Sequence, residues 1–175
     1  AQGHVVTYAN CNKDGQVDIN EFLDKCNNDT AIASLMYANN ETGVVQQIEK
    51  IAKEVKIKNS DILFHSDVVQ AVSSEKLDFH KLGIDSAAVS GHKIGGPKGI
   101  GIMFLSSKYK LPNYFHGGKQ ELEKRAGTVN VSGVAGLAAA LKEHQDNFDN
   151  EKKRILQERE IFENELKNAL EIKIV

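Results

Sequence analysis

Hydrophobic residues occur along this chain either in short continuous runs or at helical spacing. The continuous runs have the length of strands and lie at residues 4–8, 30–37, 62–65, 85–89 and 100–105. The mostly apolar run at 30–37 is typical of a strand buried on both faces of a sheet. Because strand and helix patterns alternate, the chain is predicted to adopt an α/β fold with a mostly parallel sheet flanked by helices.

Apolar residues three or four positions apart predict the helices. The first helix spans residues 46–58 with the inner face Ile48, Ile51, Ala52 and Val55, and a shorter crossover spans 76–82. Ser132 is the predicted N-cap of a C-terminal helix with a kink over residues 146–150. Its apolar positions are Val134, Leu137, Ala138 and Leu141, then Ile155, Phe162, Leu166 and Leu170. The dense charges of the second half indicate a solvated helix face.

Residues 10–21 fit the calcium-loop pattern of an EF-hand, except that Asn10 stands at the first ligand position. A β-branched strand pattern precedes the loop where an EF-hand needs a helix, and the chain has no second copy. The alternative is an Asp-Gly turn followed by a short helix over residues 19–27. A calcium-binding module therefore stays open as a second, non-enzymatic hypothesis.

Composition narrows the class of protein further. The chain has 175 residues, which suits one domain, and its formal charge of −2 gives no reason to expect nucleic acid or an anionic membrane as a partner. No run of about 20 apolar residues predicts a membrane span, and the first residues lack the pattern of a signal peptide. Two cysteines form no disulfide framework. We therefore expect an intracellular protein, with the cytoplasm as its default location.

Polar residues follow three of the predicted strands. They are Asn39 with Asn40, Asp67 with Gln70, and His92 with Lys93. In parallel α/β sheets, ligands bind beyond the carboxyl ends of the strands. We therefore expect the three clusters to converge on one site.

Lys93 lies between the strand at 85–89 and a glycine-rich turn. Taken alone, this stretch is typical of a hairpin with an exposed lysine. A pyridoxal phosphate cofactor, however, needs an amine for its aldehyde, which Lys93 supplies. It also needs a carboxylate beside its ring nitrogen, for which Asp67 is suited.

The remaining polar groups match the rest of such a cofactor. Gln70 or Asn40 offers an amide to the ring hydroxyl, and Ser90 and His92 offer donors to the phosphate. Each residue also has a plain structural interpretation: Gln70 as a surface amide, His92 as a hydrogen-bonded histidine at a strand end, and Asp67 as a helix cap. The combination at matching strand ends favours the cofactor.

With these motifs in order, the chain resembles the cysteine desulfurases of the class V aminotransferase group. The resemblance rests on residues 39–43, 65–70, 90–93 with 96–99, and 117–128, which includes the Arg-Ala-Gly-Thr segment. It implies the large domain of a fold-type I transferase over residues 1–170, incomplete at both ends. Residues 171–175 would then begin the small C-terminal domain.

The resemblance also implies roles. Lys93 would bind pyridoxal 5'-phosphate and move protons at the substrate α-carbon, and Asp67, Gln70, Asn40, Ser90 and His92 would hold the cofactor. Thr128 would reach the phosphate in the neighbouring subunit of a homodimer. The reaction would take sulfur from L-cysteine, leaving L-alanine and an enzyme persulfide. A sulfur-acceptor protein, such as an iron–sulfur scaffold, would receive the sulfur in cluster assembly or thiolation.

Some features of the family are missing from this chain. The phosphate loop, the ring-stacking histidine, the sulfur-accepting cysteine and the substrate-binding arginine have no counterpart, and neither Cys11 nor Cys26 takes the persulfide role. Gly95 stands where an aromatic residue or histidine is common, and Lys119 departs from the Gly-Gly-x-Gln-Glu motif. We expect the segment alone to be inactive. A selenocysteine lyase, another aminotransferase and a catalytically silent fragment remain alternatives.

Overall fold

The sheet has four strands in the computed structural model, which describes residues 3–113 and 115–170. The strands are β1 (Ile32–Ser34), β2 (Leu63–Asp67), β3 (Ser86–Ser90) and β4 (Gly101–Leu105), in that spatial order. The first three are parallel, and β4 runs antiparallel to β3. A short turn joins β3 to β4, and a connection of that length permits only an antiparallel return. The predicted α/β fold with a mostly parallel sheet is confirmed.

Helices lie in the connections and at the C-terminal end of the described chain. They are α1 (Ile19–Lys25), α2 (Ile48–Lys58), α3 (Phe79–Leu82) and α4 (Val131–Ala169). Three single 3₁₀ turns span Ala71–Ser73, Gly91–Ile94 and Glu121–Glu123. The predicted inner face of α2 is confirmed, since Ile48, Ile51, Ala52 and Val55 are all buried. Asn59 ends this helix, as its position before two further polar residues predicts.

The core lies where α2 packs against β2, and both α1 and α3 contact the same helix. Phe64 of β2, Ala87 of β3 and Val55 of α2 are fully buried there. Alternate residues of β2 point into this core and away from it. The buried face of β2 therefore holds the sheet against α2, while the polar groups lie at the ends of the strands.

Two of the predicted strands are corrected. Residues 4–8 form no strand, and Val5 and Tyr8 remain 88% and 81% exposed because this segment has no sheet partner in the described part of the chain. The run at 30–37 forms only the short strand β1, which is buried on one face: Ala33 is buried, whereas Ile32 is 61% exposed. The face that carries Ile32 and Ser34 is not covered by other residues of the described chain, and β1 lies at the edge of the described sheet.

Helix α4 also differs from the prediction. Asn130, not Ser132, caps it, because the Asn130 side chain accepts a hydrogen bond from Gly133 N at 3.0 Å. The helix is continuous for 39 residues, so the predicted kink is wrong. Of the predicted inner positions, Leu137 is buried while Val134 stays 46% exposed. Despite its length, neither α4 nor any other helix in the described ranges is apolar enough to cross a membrane.

Residues 10–21 form a turn followed by the start of α1, as the alternative to a calcium loop predicts. Cys11 and Val17 form an antiparallel bridge around the turn, and Asn12 Oδ1 accepts hydrogen bonds from the backbone of Asp14 and Gln16. The would-be last calcium ligand, Glu21, instead binds the Asn10 amide and pairs with Lys25 at 3.2 Å. Because Lys25 donates to its carboxylate, the pKa of Glu21 lies below its usual value. No cluster of metal-ligating side chains occurs in residues 3–113 and 115–170.

The proposed boundary between the large domain and the small domain falls at residues 171–175, which lie outside the described residues.

Candidate functional site

The carboxyl ends of β1, β2 and β3 meet at one edge of the sheet because the three strands are parallel. Asp67 is the last residue of β2 and pairs in register with Ala88, so β3 extends two residues further, to Ser90. The chain leaving β1 stays beside β2, since Tyr37 N donates to Asp67 O at 2.9 Å. This arrangement gathers the ends of three polar segments at the same edge.

Asp67 presents a carboxylate at the centre of this edge. Its Oδ1 accepts a hydrogen bond from Val69 N at 2.9 Å. Its Oδ2 accepts none from the described residues. The side chain is half-buried, and Ser66 next to it is fixed by donating to Leu35 O at 2.8 Å. The carboxylate is therefore held through one oxygen, and the other can accept a proton-bearing nitrogen.

Lys93 lies on the 3₁₀ turn Gly91–Ile94, directly after β3. Gly95 ends the turn with a φ of 79°, in the left-handed region that glycine favours. Gly96 N donates to Gly91 O at 2.9 Å, and a Cβ on Gly96 would lie 2.8 Å from that oxygen. A side chain at residue 96 would therefore open the turn. The turn leaves the Lys93 amine exposed at the sheet edge.

Ser90 and His92 flank the same turn and contact each other. Ser90 Oγ lies 2.8 Å from His92 Nδ1. The hydroxyl and the imidazole thus form one small polar group, immediately before the lysine. One of the two groups donates to the other, and the exposed pair keeps a hydrogen that it can donate to an anionic oxygen.

Gln70 lies at the start of a segment that contacts the turn bearing Lys93. It precedes the 3₁₀ turn Ala71–Ser73, and this turn packs against the turn Gly91–Ile94. The structure therefore brings the elements that carry Asp67, Gln70 and Lys93 into contact, although these residues are 26 positions apart at the extremes.

Asn40 lies at an exposed turn whose shape depends on its neighbour. Asn39 Oδ1 accepts hydrogen bonds from the backbone of Glu41 and Thr42, each at 2.9 Å. The sequence prediction assigned the chemistry to Asn40 and overlooked this organising role of Asn39. The signal was present in the sequence, because an asparagine three residues before Thr42-Gly43 is typical of such a side-chain-to-backbone turn.

Thr128 lies between the 3₁₀ turn Glu121–Glu123 and helix α4. It is exposed and precedes α4, in a segment where Gly127 N donates to the Gln120 side chain at 3.3 Å. No hydrogen bond among the described residues joins Thr128 to Asp67 or Lys93. The role predicted for Thr128 depends on a neighbouring subunit and stays a prediction.

Electrostatics distinguish two further side chains. Burial raises the pKa of the Tyr37 hydroxyl, and the negative charges of Glu75 and Glu49 raise it further. Tyr37 therefore stays a neutral group beside the Asp67 backbone. Burial likewise raises the pKa of the Cys26 thiol, which disfavours the reactive thiolate. This agrees with assigning Cys26 no role in sulfur transfer.

The donor set fits pyridoxal phosphate. An amine, a carboxylate with one uncommitted oxygen, an amide and a hydroxyl–imidazole pair lie on contacting segments of one sheet edge. These are the groups that the aldehyde, ring nitrogen, ring hydroxyl and phosphate of that cofactor require. The fold and these groups together define an α/β domain with a candidate ligand site at the carboxyl ends of its parallel strands.

Comparison with known proteins gives the family. The sequence model described as Aminotransferase class-V matches residues 1–175, and the chain belongs to this family. It is 44% identical to a cysteine desulfurase of Nostoc sp. over 139 residues, which are 79% of this chain and 34% of that protein. The resemblance to cysteine desulfurases that the motifs indicate is confirmed.

Solved structures agree with this assignment. A NifS-like protein superposes with a TM-score of 0.92 at 34% identity, covering 95% of this chain and 46% of that one. The protein described as SspA in complex with cysteine gives a TM-score of 0.75 at 34% identity, covering 80% of this chain and 40% of that one. The chain thus spans less than half the length of each of these proteins.

Proposed function

We propose that this chain is the cofactor-binding part of a pyridoxal-phosphate-dependent cysteine desulfurase. The observation that carries the proposal is the contact between the Gly91–Ile94 turn, which bears Lys93, and the segment that follows Asp67. The cysteine desulfurase relative and the structural neighbour described with cysteine support L-cysteine as the substrate. The products would be L-alanine and a persulfide on a cysteine that this chain does not carry.

Each candidate residue would have a role that follows from the chemistry of its side chain. When bound, pyridoxal phosphate supplies an electron sink for the bonds at the substrate α-carbon. Lys93 Nζ would attach the cofactor and carry a proton to and from that carbon. Asp67 Oδ2 would keep a proton on the ring nitrogen, and Gln70 and Asn40 would orient the ring through their amides. Ser90 Oγ and His92 would donate to the phosphate.

The wider setting is part of the same proposal. The protein would act as a homodimer in which Thr128 reaches the partner's phosphate, and it would pass sulfur to an acceptor such as an iron–sulfur scaffold protein. Both cysteines are free thiols, which suits a cytoplasmic location. Residues 1–170 would belong to the large domain, with the small domain beginning at 171–175.

A spectroscopic experiment tests the site. Pyridoxal phosphate is added to the purified protein, to Lys93→Ala and to Lys98→Ala, whose lysine lies exposed five residues further along the connection between β3 and β4. We expect the absorption band of the lysine-bound cofactor in the unchanged protein and in Lys98→Ala, and its loss in Lys93→Ala. Identical spectra for the unchanged protein and Lys93→Ala would refute the assignment of Lys93.

Product analysis then separates the members of the family. The full-length protein is supplied with cysteine, with selenocysteine and with an amino acid plus a keto acid. We expect alanine and sulfide from cysteine in the presence of a reductant. Release of product from selenocysteine alone, or amino transfer to the keto acid, would assign a different class V reaction.

A further inference from the structure

His144 makes a hydrogen bond that joins the long helix to the segment after β2. Its Nε2 lies 2.9 Å from Val72 O, across 72 positions of the chain. A carbonyl oxygen can only accept, so Nε2 carries the hydrogen and donates it. The bond is half-buried, so little water is available to replace it.

Val72 O belongs to the turn formed by residues 68–73, which contains Gln70 and follows Asp67, the last residue of β2. Val72 N donates to Val68 O at 2.9 Å, and Ser73 Oγ donates to Gln70 O at 2.8 Å. Asp67 comes directly before this turn. Because these internal bonds make residues 68–73 one unit, a contact at Val72 fixes the orientation of Gln70 as well.

His144 is itself held in place from the helix side. Its ring meets the buried Phe148 ring edge-on, with centroids 5.4 Å apart and an interplanar angle of 89°. About two turns beyond His144, Lys152 makes a separate contact with the segment after β2 by donating to Ser74 O at 2.9 Å. The imidazole therefore has one orientation when it meets Val72.

The same helix contacts the turn that carries Lys93. A Cβ added to Gly91 would lie 3.2 Å from Leu137 Cδ1, and one added to Gly136 would lie 2.6 Å from Pro97 Cγ. Between these contacts and His144 lies a cavity of about 320 Å³, lined in part by Ile94, Gly95 and His144. Beyond this cavity, α4 contacts the segment after β2 through the His144–Val72 hydrogen bond. Further along the helix it makes separate contacts with residues 74–76, through Lys152 and through the ion pair of Asp149 with Lys76.

We propose that His144 is a positioning residue, which sets the segment that follows Asp67 and contains Gln70 relative to the turn bearing Lys93. This inference rests on the proposed function, because the positions of these segments matter for catalysis only if their residues hold the cofactor. Both segments of the candidate site would then be positioned by contacts with the same helix, α4. His144 would touch neither cofactor nor substrate and would act only through Val72 O.

Three variants test this inference. His144→Phe keeps an aromatic ring against Phe148 and removes the donor, and His144→Gln restores a donor of similar reach. Lys152→Met removes a neighbouring contact of α4 that ends on Ser74, not Val72. Hydrogen exchange of the Val72 and Ser73 amides is measured in each protein, together with the visible spectrum and affinity of added pyridoxal phosphate.

We expect the Val72 and Ser73 amides of His144→Phe to exchange roughly fivefold faster, as the loss of one ordinary hydrogen bond implies. Amides of α2 should be unchanged. Cofactor affinity should fall by a similar factor with a shifted absorption maximum, and His144→Gln should restore both readouts.

Unchanged exchange in His144→Phe would overturn the inference, as would an equal effect of Lys152→Met on Val72 and Ser73. Faster exchange with unaltered cofactor affinity and spectrum would overturn the positioning role as well. Failure of the proposed function gives a different result: Lys93→Ala would match the unchanged protein in its spectrum, while the exchange of the Val72 amide would still report on His144.

Discussion

Lys56 and Asp85 form an ion pair at the amino ends of β2 and β3, opposite the candidate site. Asp85 Oδ2 also accepts a hydrogen bond from Phe64 N at 2.8 Å, and Lys56 Nζ contacts the Tyr109 hydroxyl at 3.1 Å. The side chains of Lys56 and Asp85 are only 23% and 11% exposed, respectively. Removing one partner would leave a charge with little water around it.

We expect Lys56→Met to lower the free energy of unfolding by about 3 kcal/mol, the low end for a broken buried ion pair. Urea unfolding at neutral pH measures it, with Lys53→Met as a control because Lys53 is exposed on the same helix. Equal losses in the two variants would show that the pair contributes nothing specific.

The same pair predicts a dependence on alkaline pH. Burial lowers the pKa of Lys56, but hydrogen bonds and charge from Asp85 and Tyr109 outweigh burial, so the pKa lies above its ordinary value. The resulting stability is fully present below the ordinary lysine pKa of about 10.4 and is lost as pH rises through the folded value. The difference in stability between the unchanged protein and Lys56→Met should therefore shrink at strongly alkaline pH.

At the scale of elements, α4 shows how one helix can serve a site without containing it. Its first turns pack on the segment after β3, and His144 reaches the segment after β2. The residue at which α4 begins must therefore be fixed, because it determines which helix residues face these two segments. Asn130 does this by accepting a hydrogen bond from Gly133 N, and Ser132 Oγ donates to the same Asn130 oxygen at 3.1 Å.

We expect Asn130→Ala to destabilise the protein by about 1 kcal/mol, the usual cost of a lost N-cap. Ser132→Ala is the matched control and should cost less than about 0.5 kcal/mol, as exposed substitutions commonly do. Thermal or urea unfolding measures both. A larger effect at Ser132 than at Asn130 would favour the cap predicted from the sequence over the one in the structure.

At the scale of the whole molecule, the proposed function predicts a site shared between two copies of the chain. The candidate ligand Thr128 has no hydrogen bond to the strand-end cluster within the described residues. A two-fold dimer could complete each site with the partner's Thr128. This arrangement predicts that two differently defective subunits can repair each other.

Co-expression of Thr128→Ala subunits with Lys93→Ala subunits tests this. Each homodimer should bind pyridoxal phosphate poorly. The mixed dimer should recover one site in two, because the site with an intact Lys93 receives an intact Thr128 from its partner. Titration of the lysine-bound absorption band in the purified mixed dimer measures the recovery. Absence of recovery in a verified mixed dimer would place Thr128 outside a shared site.

Much of the fold follows from local pattern. The spacing of Ile48, Ile51 and Val55 predicts α2 because one helical face must be buried, and the strand-end positions of Asp67 and Lys93 follow from the parallel topology. Burial of Ile32 was predicted wrongly, because an apolar run alone does not reveal which strand lies at an edge. Ser132 was mistaken for the cap, since Asn130 two residues earlier has an equally suitable side chain.

The sequence by itself determined the order of the elements, the motif series and the types of chemical group available at the site. These depend on backbone preference and on spacing along the chain, which act over a few residues. Tertiary structure alone decided that Val72 O meets His144, that Lys56 pairs with Asp85, and that α4 contacts the segments after both β2 and β3. Such contacts join segments tens of residues apart, and only the packing of the complete core sets the distance between them.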